Sequence, residues 1–133
     1  MLLDTTVCID LLRETKRRED GPACAALRRL ADTPLYLSFF SVCELYTGVE
    51  LSGEPDRERR AVRSLLDRLT VISPDETFPV IYAEAAAHLL KRGLTIPVMD
   101  LLIGITAKSH GLPVLTRDAE HFGRIPGLTV ERY

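Results

Sequence analysis

Short apolar runs that read as strands alternate with longer helical stretches along this chain, and that alternation constrains the fold more than any other feature. Leu2-Leu3, ending in Asp4, is a very short first strand; Leu35 to Phe39 is the second and Val71-Ile72 the third. Pro113 to Thr116 reads as a buried strand and Leu128 to Val130 as a last edge strand. Between them, Val7, Leu11 and Leu12 keep helical spacing until a charged run begins at Arg13, and Gly21-Pro22 restarts a helix that runs to Asp32. Ser41 opens a further helix that Gly48 weakens, and Glu54-Pro55-Asp56 begins one carrying Val62, Leu65, Leu66 and Leu69. An alanine-rich helix from Thr77 to Arg92 stops at Gly93, and another from Asp100 to His110 stops at Gly111. Strands joined through helices require right-handed crossovers, so the expectation is a parallel sheet covered on both faces.

The chain has 133 residues, enough for one domain with a real core and too few for two, so residues 1–133 are expected to form a single domain. With 46% hydrophobic and 27% charged residues it is an ordinary globular composition, neither disordered nor membrane-spanning. Asp4 and Asp10 interrupt the apolar start, which carries no basic leader; a cytoplasmic protein is expected. Cys8, Cys24 and Cys43 have no paired spacing and read as reduced, mostly buried thiols rather than a zinc site. A net charge of −2 excludes a protein that grips nucleic acid with its whole surface. Basic residues nevertheless bunch at Arg13, Lys16, Arg17 and Arg18, where solvated helix faces and a local phosphate-binding rim are both open readings.

In a parallel sheet, ligands bind beyond the carboxyl ends of the strands, where strand order reverses. Asp4 ends the first strand, Glu44 lies early in the helix after the second, and Asp118 lies just beyond the fourth. Asp100 begins the helix leading into that strand, which brings it to the same edge. Taken singly, most of these acids have structural explanations. Ser41 to Glu44 fits a capping box, and Asp100 and Asp118 suit helix N-termini. Asp4 resists such an account, because an apolar strand end flanked by Leu2, Leu3 and Val7 gains nothing from a carboxylate. Crowded carboxylates repel unless a cation neutralises them, and oxygen-only ligands select a hard ion, Mg²⁺ or Mn²⁺. Such an ion activates water and offsets charge on a phosphodiester. Thr5, Thr6 and Thr116 are placed to orient acids or water, although turn and strand roles explain Thr6 equally well.

These residues resemble the PIN domain family and, within it, the VapC-type toxins of bacterial toxin–antitoxin pairs. The resemblance is carried by Leu3-Asp4-Thr5, by Ser41-Val42-Cys43-Glu44-Leu45 with Gly48, and by Ile96-Pro97-Val98-Met99-Asp100. It continues through Ala107, Gly111 and Pro113 to Leu115-Thr116-Arg117-Asp118, Phe122 and Ile125-Pro126-Gly127-Leu128. It implies a three-layer α/β/α sandwich with a mostly parallel sheet of four to five strands. It also implies Mg²⁺-dependent endonucleolytic cleavage of RNA (with Mn²⁺ able to substitute), a homodimer, and inhibition by a small VapB-type antitoxin. Asp4 and Asp100 match the family's main metal ligands, Glu44 its third acid and Asp118 its fourth, more variable one. Thr5 matches the hydroxyl residue after the first acid. Two positions depart from the pattern: Thr6 stands where Asn or Ser is common, and His121 where an acid is often found. His121 is expected to be an exposed turn histidine.

A phosphoacceptor receiver domain has similar length and topology, but Asp4 lacks an acidic neighbour and no lysine follows Lys108. An inactive PIN-like scaffold binding RNA or protein should have lost an acid, and all four are present. A DNA-directed nuclease is nearer in kind, since nothing in the sequence reads a 2′-hydroxyl. The surface expected for a homodimer comprises Leu45, Tyr46, Val49, Leu65, Leu69 and Tyr82, which equally suit a core.

Overall fold

The computed structural model describes residues 1–133. In chain order it contains β1 (Leu2–Leu3), α1 (Thr5–Arg17), α2 (Pro22–Arg29), β2 (Tyr36–Ser38), α3 (Phe39–Glu50) and α4 (Pro55–Leu66). Then follow β3 (Thr70–Ile72), α5 (Phe78–Lys91), α6 (Val98–Ser109), β4 (Val114–Thr116), α7 (Ala119–Gly123) and β5 (Val130–Arg132). The five strands form one all-parallel sheet in the order β3-β2-β1-β4-β5, flanked by helices as expected.

β1 needs only two residues because it is the central strand. Leu2 pairs with Tyr36 on one side and Val114 on the other, and Leu3 with Leu37 and Leu115. Successive strand residues point to opposite faces. Leu3 therefore joins Val7, Leu11, Leu37, Leu45 and Val62 beneath the first four helices, while Leu2 joins Leu89, Ile103, Ile105, Val114 and Phe122 on the opposite face. From β1 the chain builds outwards through β2 to β3, then returns to lay β4 against the other side of β1. Strand order reverses there, the point at which sheets of this kind bind ligands beyond the carboxyl ends of their strands.

Several element boundaries differ from expectation. β2 stops at Ser38, whose hydroxyl accepts a hydrogen bond from Phe40 N–H and caps α3, so that helix begins before Ser41 and runs through Gly48 to Glu50. α2 ends at Arg29 rather than Asp32, and α6 begins at Val98, behind Pro97, rather than at Asp100. The last strand is displaced to Val130–Arg132, after a turn that Gly127 makes with φ 73°. Of the three thiols only Cys8 is buried, where desolvation and then the Asp4 charge push its pKa up to about 12; Cys24 is half-buried and Cys43 exposed. The expected dimer surface also breaks up. Leu45 and Val49 are core, Tyr46, Leu65 and Leu69 pack against the same cluster, and Tyr82 lies across the sheet. No helix is long and apolar enough to cross a membrane.

Candidate active site

Asp4 stands where β1 hands over to α1, and it is only 3% exposed. Its backbone is fixed on both sides: Asp4 N–H donates to the Leu115 carbonyl, and the Asp4 carbonyl accepts from Val7 N–H. Its carboxylate does not cap the helix it precedes. Instead Oδ2 accepts two hydroxyl hydrogen bonds, from Thr6 Oγ1 at 2.6 Å and Thr116 Oγ1 at 2.8 Å. Both donors take the same oxygen, which leaves Oδ1 for another partner. Thr116 is fully buried at the end of β4, and its hydroxyl oxygen accepts from Asp118 N–H at 2.9 Å. One threonine thus sets Asp4 and the turn that carries Asp118.

Asp118 serves two purposes. Oδ1 accepts from His121 N–H at 3.3 Å and caps α7, as its structural explanation required. Oδ2 faces the other way and lies 2.8 Å from His121 Nδ1. That same nitrogen is 3.1 Å from Asp100 Oδ2, so the imidazole bridges two acids that the sheet topology brings to one edge. The expectation of an exposed turn histidine is corrected here: α7 is anchored by the fully buried Phe122, which tucks the His121 side chain in to 32% exposure. The carboxyl of Asp100 is held above the usual carboxylate range, chiefly by burial and next by the Asp4 charge; contact with His121 opposes this, and the Asp118 charge adds to it. Asp100 therefore senses both other acids. Negative charge gathered about a half-buried carboxyl favours a cation.

Glu44 reaches the site by a different route. The capping-box explanation fails, because Ser38 is the cap and the Ser41 hydroxyl is buried without a partner. Glu44 lies instead in the second turn of α3, and its Oε2 accepts from Thr5 Oγ1 at 2.5 Å. Thr5 and Thr6 thus orient Glu44 and Asp4 respectively, although Thr6 had an equally good explanation as a turn residue.

The basic residues divide by position. α1 leaves the acidic edge at Thr5 and rises about 1.5 Å per residue, so Lys16, Arg17 and Arg18 lie toward the far edge of the sheet. There Lys16 pairs with Glu58 at 2.8 Å, Arg17 lies 3.9 Å from Glu19, and Arg18 terminates the helix with φ 56°. Arg13 is different. It lies 3.7 Å from Asp10, whose carboxylate also receives Arg117 at 2.9 Å and the Tyr133 hydroxyl at 2.8 Å. Asp10 thus gathers two arginines beside the acids. Neither it nor Arg117 stood out in the sequence, yet Arg117 lies between Thr116 and Asp118, and that adjacency was the available signal.

The side chains that could together hold a metal ion are Asp100, Asp118 and His121, whose ligand atoms all lie within 4.8 Å of one another; Asp4 and Glu44 are not part of that group. The PIN domain family matches residues 1–128. The chain belongs to that family. Among its relatives, a protein from Haemophilus influenzae named ribonuclease VapC1 is 31% identical over 127 residues, covering 96% of this chain and 92% of the relative. A Salmonella typhimurium protein named tRNA(fMet)-specific endonuclease VapC is 29% identical over 131 residues, covering 98% and 95%. The crystal structure of VapBC2 from Rickettsia felis, bound to a DNA fragment from its promoter, superposes with a TM-score of 0.90 at 26% identity, covering 99% of this chain and 97% of that one. These are VapC-type PIN proteins, and the resemblance read from the motifs is the family found by comparison.

Proposed function

We propose that residues 1–133 form one PIN-like nuclease domain, a VapC-type endoribonuclease that uses Mg²⁺ or Mn²⁺ and is restrained by a small VapB-type antitoxin. The observation that carries this reading is Asp4, buried at the strand end, oriented by two hydroxyls, and close enough to Asp100 for its charge to act there beside that of Asp118. The bound ion supplies an activated water and a counter-charge for the phosphodiester. Asp4 and Asp100 would hold the ion, with Asp118 and Glu44 engaging it directly or through water. Thr5 keeps Glu44, and Thr6 with Thr116 keep Asp4, from swinging away when no ion is bound. In the reaction, water's oxygen forms the new P–O bond, the bond to O3′ breaks in line, and water's proton ends on that oxygen. The products carry a 5′-phosphate and a 3′-hydroxyl.

Of the basic residues expected to hold RNA, we assign this role to Arg13, and we add Arg117, which pairs with the same Asp10. Both extend over Asp10, and Arg117 is 55% exposed. Lys16, Arg17 and Arg18 lie further along α1 from the acids. The antitoxin is assigned to an apolar groove of about 740 Å³ between α1, α2 and α4, lined by Leu11, Leu12, Leu27, Leu35 and Leu65. The related structures are VapBC complexes, and the groove offers an apolar wall edged by Lys16, Arg28, Arg57 and Glu58. A homodimer fits the opposite side, where Phe39 (49% exposed) and Val80 (62% exposed) flank a run of rings from Phe40 through Phe78 to Tyr82.

The test is cleavage of labelled structured RNA by partner-free protein with Mg²⁺ or Mn²⁺, beside EDTA and Asp100→Ala controls. Discrete fragments that need both the metal and Asp100 support the reading. Cleavage of DNA in place of RNA would make it a DNA-directed nuclease. Failure to cut combined with failure to bind metal would make it a PIN-like scaffold.

A further inference from the structure

We propose that His121 is itself a metal ligand through Nδ1, and that it biases this chain's ion toward Mn²⁺ over Mg²⁺. The inference rests on the metal-nuclease reading and deepens it.

Nδ1 stands 2.8 Å from Asp118 Oδ2 and 3.1 Å from Asp100 Oδ2, and the ligand atoms of the three residues all lie within 4.8 Å of one another. An octahedral ion with bonds of about 2.1 Å holds adjacent ligands about 3 Å apart, the bond length times √2. The two nitrogen–oxygen separations are therefore those of neighbouring corners around one ion. A proton shared between the imidazole and the carboxylates gives the same distances, so the geometry accepts either a proton or a metal at that position. The placement of the ring is built rather than accidental. The His121 backbone N–H is bonded to Asp118 Oδ1, the next residue is the fully buried Phe122, and Asp118 is in turn tied to Thr116. Two carboxylates with one imidazole form a mixed oxygen–nitrogen set, whereas Mg²⁺ prefers oxygen alone and tolerates nitrogen less well than transition ions do. Divalent transition ions bind nitrogen-containing sites more tightly along the series that begins at Mn²⁺.

The experiment uses the full chain, partner-free and stripped with EDTA. Mn²⁺ and Mg²⁺ binding are measured by calorimetry, and the Mn²⁺-loaded protein is examined by pulsed electron paramagnetic resonance for coupling to ¹⁴N. Expected is one imidazole nitrogen coupled to Mn²⁺ in the wild type and none in His121→Gln. The same variant should lose about tenfold or more in Mn²⁺ affinity and less in Mg²⁺ affinity, narrowing the ratio. His121→Asp, which restores an acid, should bind Mg²⁺ at least as well as the wild type and show no nitrogen coupling; it also reports whether the position tolerates change. Mn²⁺ bound without nitrogen coupling, or a coupling that survives in His121→Gln, overturns the inference and leaves the nuclease reading standing. Absence of any divalent binding by a folded wild-type chain removes both.

Discussion

Replacing Thr116 by valine tests whether Asp4 is held in place by hydrogen bonding or merely happens to lie there. The change keeps shape and volume and removes one hydroxyl from a fully buried position. Two interactions go with it: the 2.8 Å bond to Asp4 Oδ2 and the 2.9 Å bond accepted from Asp118 N–H. A hydrogen bond to a charged acceptor contributes about 1.5–3 kcal/mol. Thr6 still serves the same oxygen, so the lower half of that range applies. Asp118 is half-exposed, so water replaces much of its loss, at a cost of about 0.5–1 kcal/mol. The sum is a destabilisation of about 2–3 kcal/mol, which for a domain of this size lowers Tm by about 6–12 °C. Differential scanning calorimetry in EDTA reads this directly. Thr116→Ser, which keeps the hydroxyl, should stay within about 1 kcal/mol of the wild type. Because Asp4 loses its orientation, Thr116→Val should also weaken Mn²⁺ binding by about 10–100-fold. A valine variant as stable as the wild type, with unchanged metal affinity, would show that the hydroxyl does not hold Asp4 and would refute the account of the site given above.

Asp100→Asn should abolish RNA cleavage. In EDTA it should raise thermal stability slightly, by about 0.5–1 kcal/mol, because it removes a half-buried charge that Asp4 and Asp118 repel; a lower Tm would contradict the repulsion. Glu14 on α1 accepts backbone hydrogen bonds from Ala23 and Cys24 at the start of α2, and these outweigh the effect of its burial and carry its pKa below the usual value. Glu14→Gln should cost about 1–3 kcal/mol at neutral pH. Since the folded pKa is depressed, that contribution is complete above the unfolded value of about 4.3 and fades as pH falls through the folded value, so wild type and variant should converge in acid denaturation curves. Arg117→Gln should raise KM for RNA severalfold with a smaller change in kcat, and flatten the salt dependence of binding by about one phosphate contact; an unchanged KM would remove Arg117 from the substrate path.

What the sequence disclosed and what it hid follow one division. Alternation of strand and helix dictates which strand ends share an edge, so Asp4, Asp100 and Asp118 can be brought together from the sequence alone. Topology alone fixes their edge, and each lies within a residue or two of a strand or helix end. Residues whose role depends on a third partner could not be found this way. His121 read as a surface residue because sequence spacing cannot show that Phe122 pins α7 down and turns the ring inward between Asp118 and Asp100. Asp10 read as an interruption of an apolar start, because its partners Arg117 and Tyr133 lie more than a hundred residues away. The capping-box reading of Ser41 and Glu44 failed for a related reason. The motif has the right spacing, but Ser38 already caps the helix three residues earlier, which frees Glu44 to meet Thr5. Local spacing states what a side chain can do for its own helix. Only the packed sheet decides whether that task is already taken, as it is for Glu44, left undone, as by Asp4, or done with one oxygen while the other turns to His121, as by Asp118.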